Sequence, residues 1–267
     1  MQKKLHELIE QLHLNGVSEC LDQVLATAEN EGLAIQDVLY QLFYAEYQQQ
    51  TTRALSNRLK NAKMPWTWSI DTFPFKKQTA VKRSQVMSLA KLDFIARAEN
   101  ITLCGNPGTG KTGLAISLLR LAVINGYRGR FYNAQDLLNE LYTSLADRTT
   151  SRLLKTIASY DLLVIDELGY LTLTSEQINI FFKLIDMRYN KKSTIITTNL
   201  DYPDWYDVFK NKPLVDAMLD RFKHHCTTIY IKGPSLRTAE PAQKSKSVAS
   251  DELDEYPQPS PESTIEN

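Results

Sequence analysis

The sequence predicts an α/β fold, in which a parallel sheet covered by helices on both faces follows a small all-helical segment. Three observations lead to this prediction. Between residues 100 and 232, short β-branched runs alternate with amphipathic stretches. The residues before that region show apolar side chains at helical spacing rather than in alternation. A glycine-rich loop also follows the first β-branched run, at the kind of position where parallel sheets bind ligands.

The first 60 residues predict a small bundle of three helices. Apolar side chains recur at helical spacing in three segments, and Gly16 and Gly32 punctuate them. The apolar positions are Leu5, Leu8, Ile9 and Leu12, then Leu21, Val24, Leu25 and Ala28, then Ile35, Val38, Leu39, Leu42 and Phe43. We therefore expect an all-helical N-terminal domain over residues 1–62.

Residues 63–98 predict a basic, aromatic linker and a lead-in helix. Within them, residues 64–78 hold two prolines and four aromatic side chains without a helical period. The four aromatic residues are Trp66, Trp68, Phe73 and Phe75. We expect them to pack the linker onto the next domain, and stacking on a base or nucleotide is the alternative.

The third predicted domain, residues 99–237, carries the sheet. Its β-branched runs predict five strands, with helices in every gap. The expected strands are Ile101–Cys104, Arg130–Asn133, Leu162–Asp166, Thr194–Thr198 and Thr228–Ile231. The composition of residues 238–267 then changes to Ser, Pro, Lys and acids, which predicts a disordered acidic tail.

Charge is strongly segregated along the chain, although the formal net charge is zero. Residues 1–50 carry 2 basic and 8 acidic side chains, whereas residues 51–100 carry 10 basic and 3 acidic ones. A basic block of this density is a candidate surface for a polyanion, and a solvated helix face is the alternative.

Composition excludes several classes of protein. Cys20, Cys104 and Cys226 stand far apart, which argues against a disulfide framework and a Cys-rich zinc site. No apolar stretch reaches the roughly 20 residues that a membrane helix needs. We therefore expect a cytoplasmic protein with no membrane partner.

A phosphate-binding loop is the most specific motif in the chain. The pattern G-x-x-x-x-G-K-[ST] is matched by Gly105, Asn106, Pro107, Gly108, Thr109, Gly110, Lys111 and Thr112. The loop follows a predicted strand and opens a predicted helix, which is the context that the motif requires. Its backbone N–H groups would surround phosphates, Lys111 would bridge the β- and γ-phosphates, and the Thr112 hydroxyl would ligate Mg²⁺.

Polar residues at two further strand ends complete this candidate site. The buried-type run that begins at Leu162 ends in Asp166 and Glu167. Asp166 would hold Mg²⁺ through its water shell, and Glu167 would polarise the attacking water. Asn199 ends another strand and could orient that water, whereas an ordinary turn asparagine is the alternative.

Beyond these positions, several sequence blocks carry a family resemblance. They are the phosphate loop, IDELGY at 165–170, IITTN at 195–199, LVDAMLDRFKHH at 214–225 and IKGPSLR at 231–237. Together, over residues 50–237, they resemble the IstB family of transposition helper ATPases. That family is related to the DnaC replicative helicase loaders within the AAA+ P-loop ATPases.

The resemblance implies an AAA+ ATPase that uses ATP with Mg²⁺, forms a homo-oligomer on double-stranded DNA and has a transposase as partner. It implies that Arg221 reaches the ATP of a neighbouring subunit and that Arg237 is a sensor near the γ-phosphate. For Arg221, a surface salt bridge is the alternative. Arg188 is a weaker candidate for a second intersubunit contact. The residues Pro234, Ser235 and Leu236 depart from the Glu-Ser-Tyr that is common in the family.

Three basic residues are the candidate DNA contacts. Arg148, Arg152 and Lys155 are spaced i, i+4 and i+7, so a continuous helix would carry them as one cationic stripe. In the resembling loaders and helpers this region faces nucleic acid, although a solvated helix face is equally compatible with the spacing. The rival functions are a helicase loader of the DnaC type, a small-molecule P-loop kinase and a nucleotide-gated scaffold that barely turns over ATP.

Overall fold

The computed structural model describes residues 2–169, 171 and 173–238. The chain divides into two compact units between Ser235 and Leu236. In the second unit the described residues form a 3₁₀ turn, Leu236–Thr238. The predicted acidic tail, residues 238–267, therefore lies outside the described residues apart from Thr238.

The first unit contains a five-stranded parallel sheet. The strands are β1 (Asn100–Gly105), β2 (Gly129–Asn133), β3 (Leu162–Asp166), β4 (Ser193–Thr198) and β5 (Cys226–Ile231). Their order across the sheet is β2-β3-β4-β1-β5. All five predicted strands are present, each with the predicted C-terminal residue except β1, which ends one residue later than predicted. The predicted α/β fold is confirmed, and the shared direction of the strands brings their polar carboxyl ends to one edge of the sheet.

Helices precede the sheet and connect its strands. They are α1 (Gln2–Gln11), α2 (Asn15–Glu31), α3 (Ile35–Asn61), α4 (Arg83–Leu89), α5 (Asp93–Ala96), α6 (Lys111–Ile124), α7 (Ala134–Ala146), α8 (Thr150–Ala158), α9 (Ser175–Arg188), α10 (Trp205–Phe209) and α11 (Lys212–His224). None of the helices in the described ranges combines the length and apolarity needed to cross a bilayer.

Successive residues of the central strands enter two separate apolar cores. Val164 of β3 packs with α6 in one core, whereas its neighbours Leu163 and Ile165 pack with α7, α9 and α11 in the other. Because side chains alternate across a strand, a strand that is buried on both faces reads as a continuous apolar run. This double burial explains why the β3 sequence shows no alternation.

The N-terminal helices pack around Ile9, Val17 and Leu21. Gly16 lies inside the first turn of α2 rather than in a loop between helices. Helix α3 passes very close to it, since a Cβ on Gly16 would lie 2.6 Å from the Ala45 carbonyl oxygen. At this crossing the buried Glu46 carboxylate accepts a hydrogen bond from the Gly16 N–H at 2.7 Å. Gly16 therefore allows α2 and α3 to pack closely, in addition to lying near the start of a helix.

The aromatic linker packs largely as predicted. Phe73 is buried, and Trp68 and Phe75 pack against the core on the α6 side of the sheet. Trp66 departs from the prediction, since 58% of it is exposed. The proposed domain boundaries at residues 62 and 98 stay predictions.

Candidate functional site

The glycines of the phosphate loop are required by its backbone. The loop joins β1 to α6, and Gly108 and Gly110 adopt φ angles of 79° and 95°, which L side chains rarely adopt. A Cβ on Gly105 would lie 2.3 Å from the carbonyl oxygen of Ile231 on β5. The loop therefore takes its shape from residue types that the motif prescribes, at the carboxyl edge of the sheet.

The side chain of Lys111 folds back over the first residues of the phosphate loop. Its Nζ donates hydrogen bonds to the carbonyl oxygens of Gly105 and Asn106, each at 2.8 Å. The Thr109 hydroxyl also donates to the Asn106 carbonyl at 2.8 Å. These bonds hold a positive charge at the mouth of the loop, beside the N-terminus of α6, where an anion is stabilised.

Asp166 is held by two hydroxyl groups. Thr112 Oγ1 donates to Asp166 Oδ1 at 2.8 Å, and Thr197 Oγ1 donates to the same oxygen at 2.5 Å. Burial raises the pKa of Asp166, while these hydroxyls and Lys111 oppose the rise. A desolvated carboxylate beside a hydroxyl is a set of hard oxygen donors that fits Mg²⁺. The structure thus brings together the two predicted magnesium ligands.

Glu167 is exposed at the end of β3 and has a φ angle of 62°. Its backbone N–H donates to Thr197 Oγ1 at 2.9 Å, and its Oε2 accepts a hydrogen bond from Asn133 Nδ2 at 3.2 Å. Asn133 also caps α7 by accepting from the Gln135 N–H at 2.9 Å. One threonine on β4 thus fixes the backbone of Glu167, and one asparagine on β2 fixes its side chain.

Thr197 and Asn133 were missed as site residues by sequence reasoning. The available signal was their position, because both lie at or beside the carboxyl ends of strands that flank β3. In the sheet register Asn133 stands opposite Asp166. Finding them required the strand order, which the sequence pattern alone does not supply.

Asn199 follows β4 directly, as expected. Its Oδ1 is buried and, among the residues that the structure describes, has no hydrogen-bond partner. A Cβ on Gly169 would lie 2.4 Å from this oxygen, so the glycine leaves space for the amide beside the segment that follows Glu167. The role of Asn199 in orienting water stays a prediction.

Arg221 lies on α11 and makes the salt bridge that was left open as the alternative. Its Nε is 2.9 Å from Asp186 Oδ1 on α9, and its guanidinium carbon lies 5.2 Å from the centroid of the Phe182 ring. The side chain remains 32% exposed. Its contact with a neighbouring subunit stays a prediction, as does the sensor role of Arg237, which lies in the second unit.

Arg188 is wrong as a candidate for an intersubunit contact. It is only 2% exposed, and its guanidinium donates to the carbonyl oxygens of Ala158 at 3.1 Å and Tyr160 at 2.8 Å and to Thr194 Oγ1 at 3.0 Å. Burial lowers its pKa to about 9. Arg188 therefore ties the end of α8 to the start of β4 inside the domain.

The predicted cationic stripe is also only partly correct. Helix α7 ends at Ala146, and Arg148 lies in the turn before α8 with a φ angle of 54°, so it does not continue the helical surface. Arg152 and Lys155 are exposed on α8 and one turn apart. Arg152 also lines a groove with the acidic residues Glu140 and Asp147. The stripe is thus a pair on one helix with a third cation in the adjoining turn.

Comparison with known proteins identifies close relatives. A family model described as IstB-like ATP binding protein matches residues 7–246. The chain is 35% identical to the ATP-binding protein of insertion sequence IS21 from Pseudomonas aeruginosa, over 89% of each chain. It is 33% identical to that of insertion sequence IS5376 from Geobacillus stearothermophilus, over 90% of this chain and 96% of the relative.

Solved structures share the fold. The crystal structure of the DnaC helicase loader matches with a TM-score of 0.55 and 28% identity, over 64% of this chain and 100% of that chain. The replication initiator DnaA bound to AMPPCP and single-stranded DNA matches with a TM-score of 0.53 and 20% identity, over 63% of this chain and 51% of that chain. At that identity the second match shows likeness of the fold alone.

Proposed function

Because the chain belongs to the family of IstB-like ATP-binding proteins, we propose that it is an ATP-hydrolysing helper of transposition that assembles on double-stranded DNA and recruits or stimulates a transposase. The observation that carries the proposal is the pair of hydrogen bonds that joins Thr112 and Thr197 to Asp166. They support a magnesium site between the phosphate loop and the strand end that bears Glu167.

The chain would bind ATP with the ammonium group of Lys111 and with the backbone N–H groups of Gly105–Thr112, to which Pro107 contributes none. Thr112 and Asp166 would hold Mg²⁺, which when bound supplies positive charge to the β- and γ-phosphate oxygens. The carbonyl oxygens that Lys111 contacts in this structure are weaker partners than phosphate, so the ammonium group would exchange them for the nucleotide.

Glu167 would act as the general base for the attacking water. Of the two adjacent carboxylates, Glu167 is exposed, whereas Asp166 is buried and accepts hydrogen bonds from two hydroxyl groups. The buried oxygen of Asn199 offers an acceptor for a water proton at the neighbouring strand end. Arg221 of an adjoining subunit would add positive charge to the transferring phosphoryl group, so that assembly completes the site.

The hydrogen bond from Asn133 restrains Glu167, and removing it is expected to raise ATP hydrolysis measured without DNA. Serine at position 133 keeps an oxygen that caps α7 but is too short to reach Glu167. A hydrogen bond to a charged group contributes about 1.5–3 kcal/mol, and because this bond is exposed and 3.2 Å long, the lower end applies and Asn133→Ser should raise the rate by roughly tenfold. Phosphate release at saturating ATP measures this. A lower rate in Asn133→Ser would instead mean that the amide holds Glu167 in its active position.

DNA binding is assigned to the exposed cations of α8 and the adjoining turn. Arg152 and Lys155 project from one helix without burial, and Arg148 is exposed beside them. Contacts of this kind to phosphates carry no base code, so binding should be largely independent of DNA sequence. The basic block within residues 53–97 is available for further contacts.

The salt dependence of DNA affinity tests this assignment. With ATP present, binding of duplex DNA should weaken steeply as salt rises, because each neutralised phosphate contributes about 0.9 to the slope of log K against log[salt]. The double variant Arg152→Ala/Lys155→Ala should bind more weakly and lose about 1.8 from that slope. Lys3→Ala/Lys4→Ala, which removes two exposed cations from α1, is the matched control. Equal slopes in the wild type and the α8 variant would remove α8 from the DNA surface.

A helicase loader is the second candidate function. It is supported by the likeness to the DnaC helicase loader, whereas relatives at higher identity are proteins of insertion sequences. Co-purification separates the two functions, because a transposition helper should retain a transposase encoded beside its own gene when ATP and DNA are present. Retention of a replicative helicase instead would favour the loader.

A further inference from the structure

The indole of Trp68 packs directly on the first turn of α6. A Cβ on Gly113 would lie 2.8 Å from Trp68 Cε3 and 2.9 Å from Cζ3, so the ring occupies the space that a side chain at position 113 would need. Trp68 is packed against the core yet keeps part of its surface exposed. Only a glycine at 113 admits the ring this close.

Gly113 is the residue immediately after Thr112, at the end of the phosphate loop. In such loops the lysine serves the β- and γ-phosphates, and the backbone N–H groups that enter the helix reach the α- and β-phosphates. Here Lys111 Nζ contacts Gly105 and Asn106, the first residues of the loop, whereas Gly113 follows the loop in the first turn of α6. With the lysine at the β- and γ-phosphates, the α-phosphate, which carries the ribose and the base, would lie toward Gly113.

The other linker aromatics do not offer such a surface. Phe73 is buried, and the guanidinium carbon of Arg83 lies 5.8 Å from the centroid of the half-buried Phe75 ring. Trp66 is exposed and is not among the side chains packed on this core. Trp68 is thus the aromatic that combines a fixed position at the loop with partial exposure.

We infer that the Trp68 indole is the surface on which the base of the bound nucleotide stacks. The inference rests on the proposed ATP binding and adds a residue that recognises the base rather than the phosphates. Stacking on an aromatic ring tolerates any base, because every base presents a π-face. Trp68 therefore contributes affinity for the nucleotide without selecting adenine by hydrogen bonds.

The test compares a ligand that carries a base with an inorganic polyphosphate that carries none. Dissociation constants for ADP and for inorganic tripolyphosphate, both with Mg²⁺, are measured calorimetrically for the wild type, Trp68→Ala, Trp68→Phe and Trp66→Ala. Trp68→Ala should bind ADP roughly tenfold to a hundredfold more weakly and tripolyphosphate unchanged. Trp68→Phe should recover most of the ADP affinity, and Trp66→Ala should match the wild type.

The remaining outcomes show which fails, the proposed ATP binding or the stacking of the base on Trp68. If the wild type binds neither ligand, the proposed ATP binding fails. If the wild type binds both and Trp68→Ala binds ADP equally well, the base does not stack on Trp68. Equal loss of both ligands in Trp68→Ala would mean that the indole only supports the loop, and it would overturn the inference too. A Trp66→Phe protein adds an optical readout, because ADP should quench part of its tryptophan fluorescence. That quenching should be absent from Trp66→Phe/Trp68→Phe, which keeps only the buried Trp205.

Discussion

Replacing Glu167 by glutamine is expected to leave nucleotide binding intact and to slow ATP hydrolysis by about 10²- to 10⁴-fold. The amide keeps the size of the side chain, and its oxygen still accepts the hydrogen bond from Asn133, but it cannot take a proton from water. Binding should persist because the residues proposed for the phosphates and magnesium, Asp166, Thr112 and Lys111, make their contacts in this structure without the Glu167 side chain. Calorimetry with ADP and phosphate release from ATP measure the two effects separately.

The control for this substitution is Glu140→Gln, which makes the same chemical change at an exposed carboxylate on α7. That protein should hydrolyse ATP at the wild-type rate. A Glu167→Gln protein with unchanged turnover would contradict the assignment of the base. A protein that no longer bound ADP would mean that Glu167 supports the loop rather than the chemistry.

Removing the Arg221 guanidinium is expected to reduce hydrolysis by about 10³- to 10⁵-fold, the range for an arginine supplied to the transferring phosphoryl group. Within its own chain this side chain bonds to Asp186, and both partners are partly exposed. An exposed ion pair contributes at most about 1 kcal/mol to folding stability, so Arg221→Ala should stay folded. The large loss would therefore report on the site of a neighbour.

Asp186→Asn is the matched control, because it breaks the same ion pair while it leaves Arg221 in place. It should retain hydrolysis, and the freed guanidinium should reach the neighbour at least as well. Mixing Arg221→Ala with Lys111→Ala should restore part of the activity, since at some interfaces one protein supplies the loop and the other the arginine. Equal losses in Arg221→Ala and Asp186→Asn would show that the ion pair, rather than the arginine, matters.

The sequence predicted those parts of the site that depend on local chemistry. The phosphate loop could be predicted because its glycines, lysine and threonine are contiguous, and Asp166 and Glu167 because they end a strand whose apolar run is unbroken. Thr197 and Asn133 could not, because they reach Asp166 and Glu167 only through strand pairing across the sheet. No local pattern encodes the order β2-β3-β4.

Errors in the cationic residues have a similar cause. The prediction of one stripe from the spacing of Arg148, Arg152 and Lys155 required one continuous helix. The chain instead turns after Ala146, where Arg148 has a left-handed backbone conformation. Arginine is usually a surface residue, yet Arg188 is buried and four carbonyl oxygens accept its hydrogen bonds in the interior. A buried arginine needs such partners, and their convergence is a property of the tertiary fold.

If two chains complete each ATP site, hydrolysis must depend on assembly, and the hydrolysis rate per protomer measures that dependence most directly. The rate is measured with saturating Mg²⁺ and ATP and with duplex DNA, at protein concentrations that sedimentation shows to span the change from single chains to assemblies. The rate per protomer is expected to rise with concentration and to level off once assembly is complete. A rate per protomer that stays constant across that range would contradict a shared site, because each chain would then hydrolyse ATP alone.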